Sequence, residues 1–163
     1  MSFIVLGIDP GLRTTGYGVI VKRGQQSHYL GSGCIRTQTT DLASRLWQIH
    51  QGLCEVMLEF RPQAVAIEQV FMQENASSAL KLGHARGAAV VAVAAHGHHV
   101  HEYAPRLVKQ AVVGYGNSTK AQISHMVKRL LAVEGKIAQD AADALAVALC
   151  HVSHMRRVPA FIV

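Results

Sequence analysis

Phe3-Ile4-Val5-Leu6-Gly7-Ile8 is an unbroken apolar run rich in β-branched residues, and Asp9-Pro10-Gly11 closes it. A run of this kind, bounded by a turn signal, reads as a strand buried on both faces. Two further strands are expected from Gly16 to Lys22 and from His28 to Thr37, joined by the polar stretch Arg23-Gly24-Gln25-Gln26-Ser27. Short turns between consecutive strands imply antiparallel pairing. Downstream the pattern changes. Leu42, Leu46, Ile49, Leu53, Val56, Met57 and Phe60 recur three and four apart, which predicts a helix capped by Asp41 and stopped before Pro62. Ala64-Val65-Ala66-Ile67 is a short buried strand that delivers Glu68. A helix from Ala76 to Ala95 capped by Asn75, a fifth strand from His98 to Tyr103, a short helix from Pro105 to Val113, a helix from Ser118 or Thr119 to about Val133 and a last helix from Asp140 to about Met155 complete the order. Three antiparallel strands followed by alternating helix and strand give an α/β fold: a mixed five-stranded sheet with helices on both faces.

The chain has 163 residues, half of them hydrophobic, which suits one domain with a real core. The expected division is a folded unit over 1–155 and a short tail over 156–163. A net charge of +6 suits a polyanionic partner such as nucleic acid. Cys34, Cys54 and Cys150 lie far apart without a CxxC pair, as expected of a reduced, cytoplasmic chain. The N-terminus reaches Asp9 too soon for a signal peptide, and the apolar run from Gly87 to Ala95 is too short for a membrane span.

Four of the ten acidic residues stand out. Asp9 and Glu68 end predicted strands, and ligands of open α/β sheets gather at the carboxyl ends of strands. Asp9 before Pro-Gly could simply start a turn, and Glu68 could already be solvated. Asp140 and Asp143 sit three apart in an almost apolar helix and so share one face. Capping accounts for Asp140, but less well for Asp143. Hard oxygen ligands of this kind suit Mg²⁺ or Mn²⁺, and a pair of such ions can drive phosphodiester hydrolysis.

Gly7-Ile8-Asp9-Pro10-Gly11 with Thr15-Gly16-Tyr17-Gly18, Gly31 to Thr37, Ala66 to Phe71, Ser78 to Gly83, Val108-Lys109-Gln110 and Asp140 to Ala146 together resemble the RuvC family of Holliday junction resolvases, in the family's order. The resemblance implies an RNase H-like fold and a homodimer that makes symmetric paired nicks in four-way junction DNA during recombination and repair. It also implies RuvA and RuvB as branch-migration partners. It assigns Asp9, Glu68, Asp140 and Asp143 to catalysis and to two Mg²⁺ per subunit. Phe71 matches an aromatic that engages a base near the cut, and Lys109 and Lys120 match basic residues near the active site. Arg13, Lys81 and Arg86 are further candidates for phosphate contacts. Gly83 and Gly87, one helical turn apart, pack either on the protein's own sheet or, as the family suggests, at the dimer interface. Other readings are an RNase H-like nuclease acting on RNA or hybrids, a DNA-binding module without catalysis, and an ATPase of the actin type, for which one small domain is too little. His96 to His101 resembles a metal-binding tract, but an edge-strand reading fits it better.

Overall fold

The computed structural model describes residues 2–70 and 75–155. Its elements are β1 (Ser2–Asp9), β2 (Thr14–Arg23), β3 (Gln26–Arg36), α1 (Leu42–Phe60), β4 (Ala64–Glu68), α2 (Ala76–Ala95), β5 (Val100–Tyr103), α3 (Pro105–Val113), α4 (Lys120–Leu131) and α5 (Gln139–Met155). The sheet order is β3-β2-β1-β4-β5. The β1–β2 and β2–β3 pairs are antiparallel, and β1–β4 and β4–β5 are parallel. The mixed sheet with helices on both faces is the one the residue pattern implies.

Alternation along the strands decides what each face receives. In β1, Ile4, Leu6 and Ile8 enter the core beneath α1 and α2, whereas Phe3 and Val5 enter the core beneath α3, α4 and α5. The second series continues through Gly7 to Asp9. In β4, Val65 and Ile67 face α1 and α2, and Ala64 and Ala66 face α5, a series that continues to Glu68. Both carboxylates therefore leave the sheet on the α5 side, from adjacent parallel strand ends.

Close approach of α5 follows from small residues on both surfaces. Its buried positions include Ala141, Ala142, Ala144, Ala146 and Ala148. Opposite them stand Gly7, Gly16 and Gly18. A Cβ on Gly7 would overlap the Ala144 carbonyl oxygen, one on Gly16 would overlap that of Asp140, and one on Gly18 would lie 2.7 Å from the Leu145 nitrogen. The helix backbone rests directly on the sheet backbone, so the first turn of α5 sits over the end of β1.

Element boundaries differ from expectation by a few residues: β2 begins at Thr14 rather than Gly16 and α5 at Gln139 rather than Asp140. The β2–β3 turn is tighter, because Arg23 already pairs with Gln26. Of the two expected caps of α4, Thr119 is the one used, through a reciprocal capping box with Gln122, and α4 stops at Leu131 rather than Val133, with Ala132 at φ 50°. The fifth strand starts at Val100 rather than His98, because the end of α2 closes in a Schellman turn. Gly97 takes φ 76°, its N–H reaches the Ala94 carbonyl, and the His98 N–H reaches that of Val93.

Candidate active site

Asp9, Asp140 and Asp143 each offer an oxygen, and these oxygens all lie within 4.8 Å of one another. Among the described residues this is the one group of three or more His, Cys, Asp or Glu side chains so arranged. Asp9 arrives from β1. Asp140 and Asp143 arrive from the first turns of α5, where spacing of three puts both on the face turned to the strand ends. Glu68 ends β4 beside the trio rather than within it. It is close enough that its charge raises the Asp9 pKa and that Asp143 raises its own.

The electrostatics are those of crowded negative charge with too little compensation. The Asp9 carboxyl is pushed up to about 7, first by burial, then by Asp143, Glu68 and Asp140, with Lys120 pulling the other way. Glu68 is raised by burial and then by Asp143, and Lys109 and Lys120 oppose the shift. Lys120 Nζ lies 3.5 Å from Asp143 Oδ2, and Gln139 Nε2 donates to Asp143 Oδ1 at 2.8 Å. Lys120 therefore stands at the carboxylates, and Lys109 is near enough to lower Glu68. Just ahead of Lys120 in the chain, Ser118 is buried, and its hydroxyl has no hydrogen-bond partner among the described residues.

Oxygen-only donors, one of them a carboxyl raised to about 7 by burial and then by its acidic neighbours, fit a hard divalent cation, which would offset both effects. The folded pKa of Asp9 lies above its ordinary 3.8, so the folded state binds the extra proton between these values. Without divalent cation, the contribution of Asp9 to stability is expected to fall as pH rises from about 4 through 7, and then to level off. His151, lowered to about 4 by burial and then by His101 and His154, contributes in the opposite sense as pH rises from about 4 through 6.5. Mg²⁺ should stabilise more at pH 8 than at pH 5, and in EDTA Asp9→Asn should gain melting temperature relative to the wild-type protein as pH rises. Thermal melts of both proteins with EDTA and with Mg²⁺ across this range check the sign; a cation-free difference between variant and wild type that shrinks from pH 5 to pH 8 would contradict it.

The remaining candidates fall elsewhere. Arg13 and Lys81 line a separate open cavity on the α1/α2 side. Arg86 is ion-paired with Glu102 of β5, so a phosphate would have to compete with that carboxylate. Among the described residues, a Cβ on Gly83 or Gly87 would meet no atom within 4 Å; these glycines do not pack on the protein's own sheet. They lie on an exposed stripe with Leu80 and Val91. Phe71 and the tail over 156–163 lie outside the described residues. The histidine tract ends in edge strand β5, where the His101 ring packs at a tilt against buried His151 and Tyr103 Oη lies 2.8 Å from His151 Nδ1. Sequence reading does not single out Gln139, or the role of Gly7, Gly16 and Gly18 in seating α5.

A family model described as crossover junction endodeoxyribonuclease RuvC matches residues 5–151. The chain belongs to the RuvC family. A RuvC protein of Vibrio vulnificus is 60% identical over 148 residues, which cover 91% of this chain and 86% of that one. One from Cronobacter sakazakii is 60% identical over 152 residues, covering 92% and 88%. T. thermophilus RuvC, solved in complex with a Holliday junction substrate, superposes with a TM-score of 0.88 at 36% identity, covering 95% of this chain and 96% of that one. A yeast mitochondrial Holliday junction resolvase shares the fold, with a TM-score of 0.66 at 14% identity over 94% of this chain and 81% of that one. Membership of the RuvC family agrees with the RNase H-like sheet and with a nuclease. No helix of the described residues is long and apolar enough to cross a membrane.

Proposed function

We propose that this protein is a divalent-cation-dependent endonuclease that resolves Holliday junctions by paired symmetric nicks, in the cytoplasm, during recombination and repair. The observation that carries this reading is the convergence of Asp9, Asp140 and Asp143 at the end of β1, in a chain that belongs to a family of junction endonucleases. With Glu68 beside them, these carboxylates would hold two Mg²⁺, with Mn²⁺ as a substitute. When bound, the ions supply activation of water and stabilisation of the leaving oxygen. Asp9 must lose its proton for that role, and Lys120 favours the loss. Gln139 fixes the orientation of the Asp143 carboxylate. Comparing single-turnover rates on a mobile four-way junction, a linear duplex and an RNA–DNA hybrid tests the reading. Junction-selective cutting is expected, and faster cutting of the hybrid would favour the RNase H-like alternative.

Lys109 and Lys120 flank the carboxylates and can offset charge that grows on the phosphate in the transition state. Lys→Ala at either should slow single-turnover nicking by about a hundredfold or more. Because Lys120 lowers both Asp9 and Glu68 while Lys109 lowers Glu68, Lys120→Ala should also move the pH midpoint of the rate upward. An unchanged rate at saturating Mg²⁺ would remove that lysine from the site. Phe71, in the chain leading from Glu68 to α2, is proposed to stack on a base near the cut.

Two equivalent sites are needed for paired nicks, and an isologous dimer supplies them. The exposed stripe of Leu80, Gly83, Gly87 and Val91 on α2 supports an interface there. Gly83→Leu meets open space among the described residues of one subunit, so each subunit should stay folded while association weakens by about tenfold or more, a change of about 1.4 kcal/mol. Sedimentation of the variant checks this; an unaltered dimer would place the interface elsewhere. RuvA and RuvB remain the proposed branch-migration partners.

A further inference from the structure

Arg13, Arg45 and Lys81 line one open cavity of about 430 Å³, and Thr40 and Ser78 share its wall. Three segments distant in sequence meet there: the turn after β1, the start of α1 and the start of α2. Arg45 is held in place. Its Nη1 donates to Thr37 Oγ1 at 2.9 Å, and Thr37 Oγ1 donates onward to the Leu12 carbonyl at 2.9 Å. The Thr37 N–H is bonded to the Arg13 carbonyl at 3.0 Å. The end of β3 thus ties the Arg45 guanidinium to the turn that carries Arg13.

The ion pairs among the described residues are Arg86 with Glu102 and Lys120 with Asp143. Arg13, Arg45 and Lys81 therefore have no carboxylate partner there. Three like charges around one cavity repel each other unless an anion is shared between them. Two guanidinium forks, an ammonium and two hydroxyls form a donor set suited to phosphate oxygens. We propose that this cavity seats a single backbone phosphate of bound DNA, apart from the one that is cut. The proposal rests on the junction-nuclease reading and adds a second anchoring point to it. Arg13 is four residues beyond Asp9, a chain reach of at most about 14 Å. That short backbone separation, with the length of the Arg13 side chain added, places the seated phosphate a few nucleotides from the cut. Held at both points, the strand cannot slide past the carboxylates.

The test is junction binding as a function of salt, for Arg13→Ala, Arg45→Ala, Lys81→Ala and the triple variant. One lost phosphate contact lowers the slope of log affinity against log salt by about one and weakens binding by about eightfold at 0.1 M salt. Because the three cations share one phosphate, the triple variant should lose little more than one unit of slope. A neutral methylphosphonate at one position a few nucleotides from the cut should cost the wild-type protein the same amount and cost the triple variant nothing. Arg45→Lys, which keeps the charge, should recover part of the loss and separates it from any effect on folding. A slope loss near three in the triple variant, or unchanged binding by the triple variant when the wild-type protein nicks junctions, would overturn the shared seat while leaving the nuclease reading standing. A wild-type protein that neither binds nor nicks junctions would overturn both.

Discussion

Asp9→Asn, Asp140→Asn and Asp143→Asn should each lose nearly all junction nicking, roughly a thousandfold or about 4 kcal/mol of transition-state stabilisation, while still folding and binding junctions. Each amide keeps the shape of the side chain and removes one negative charge from a trio whose oxygens lie within 4.8 Å of one another. Cation occupancy should fall with the charge of the cluster, and with it the activation of water. Glu68→Gln should behave in the same direction, because Glu68 and Asp143 act on each other across the site. Cation-free stability is expected to move the opposite way. Asp9→Asn removes a charge that the fold disfavours, so its melting temperature at pH 8 in EDTA should exceed that of the wild-type protein. If Asp140, inside the first turn of α5, only complemented the helix dipole, Asp140→Asn would lower stability by about 0.3–1 kcal/mol, and nicking would be ordinary. Single-turnover rates and melts on the same four variants distinguish these outcomes. Ca²⁺, larger and less strict in its geometry, should support binding of the wild-type protein with little cutting.

The second large effect is expected at a residue with no functional group. Gly16→Ala places a methyl group against the Asp140 carbonyl, with the Ala141 nitrogen only 3.0 Å from it. These are backbone atoms, so no side chain can swing aside. Either the helix lifts from the sheet or the strand bends away. Overpacking of this kind costs about 1–3 kcal/mol or more, and the displacement falls on the turn that carries Asp140. Gly16→Ala should lose nicking by at least a hundredfold, because a misplacement of about 1 Å can cost that much. Gly18→Ala faces Leu145, further along α5, and should lose stability with a smaller loss of rate. Equal residual activities at equal stability would show that the helix does not position the carboxylates through this contact.

Much of this arrangement is legible in the sequence, for reasons that can be named. Alternation in Phe3 to Asp9 and in Ala64 to Glu68 puts both acids on one side of the sheet, and the spacing of Asp140 and Asp143 puts both on one side of a helix. Local periodicity does not say that these two surfaces meet. That depends on Gly7, Gly16 and Gly18, whose meaning appears only once α5 lies across them. Long-range pairing is equally hidden. Arg86 looks like a free cation until Glu102 of β5 closes on it, and Arg45 looks like an ordinary helix residue until Thr37 turns it toward Arg13. Sequence leaves Gly83 and Gly87 open between sheet and partner, and the empty space beside them decides against the sheet. Boundaries shift where caps act over a few residues, as at Gly97 and Thr119.

The most direct measurement of the central claim is to incubate a synthetic four-way junction, with each strand labelled in turn, with the protein and Mg²⁺, and to map every nick. Metal-dependent junction resolution predicts one nick on each of two opposed strands at symmetry-related positions, dependent on Mg²⁺ and absent in Asp9→Asn. Nicks on a single strand, cutting that persists in EDTA, or cutting by Asp9→Asn at the wild-type rate would contradict it.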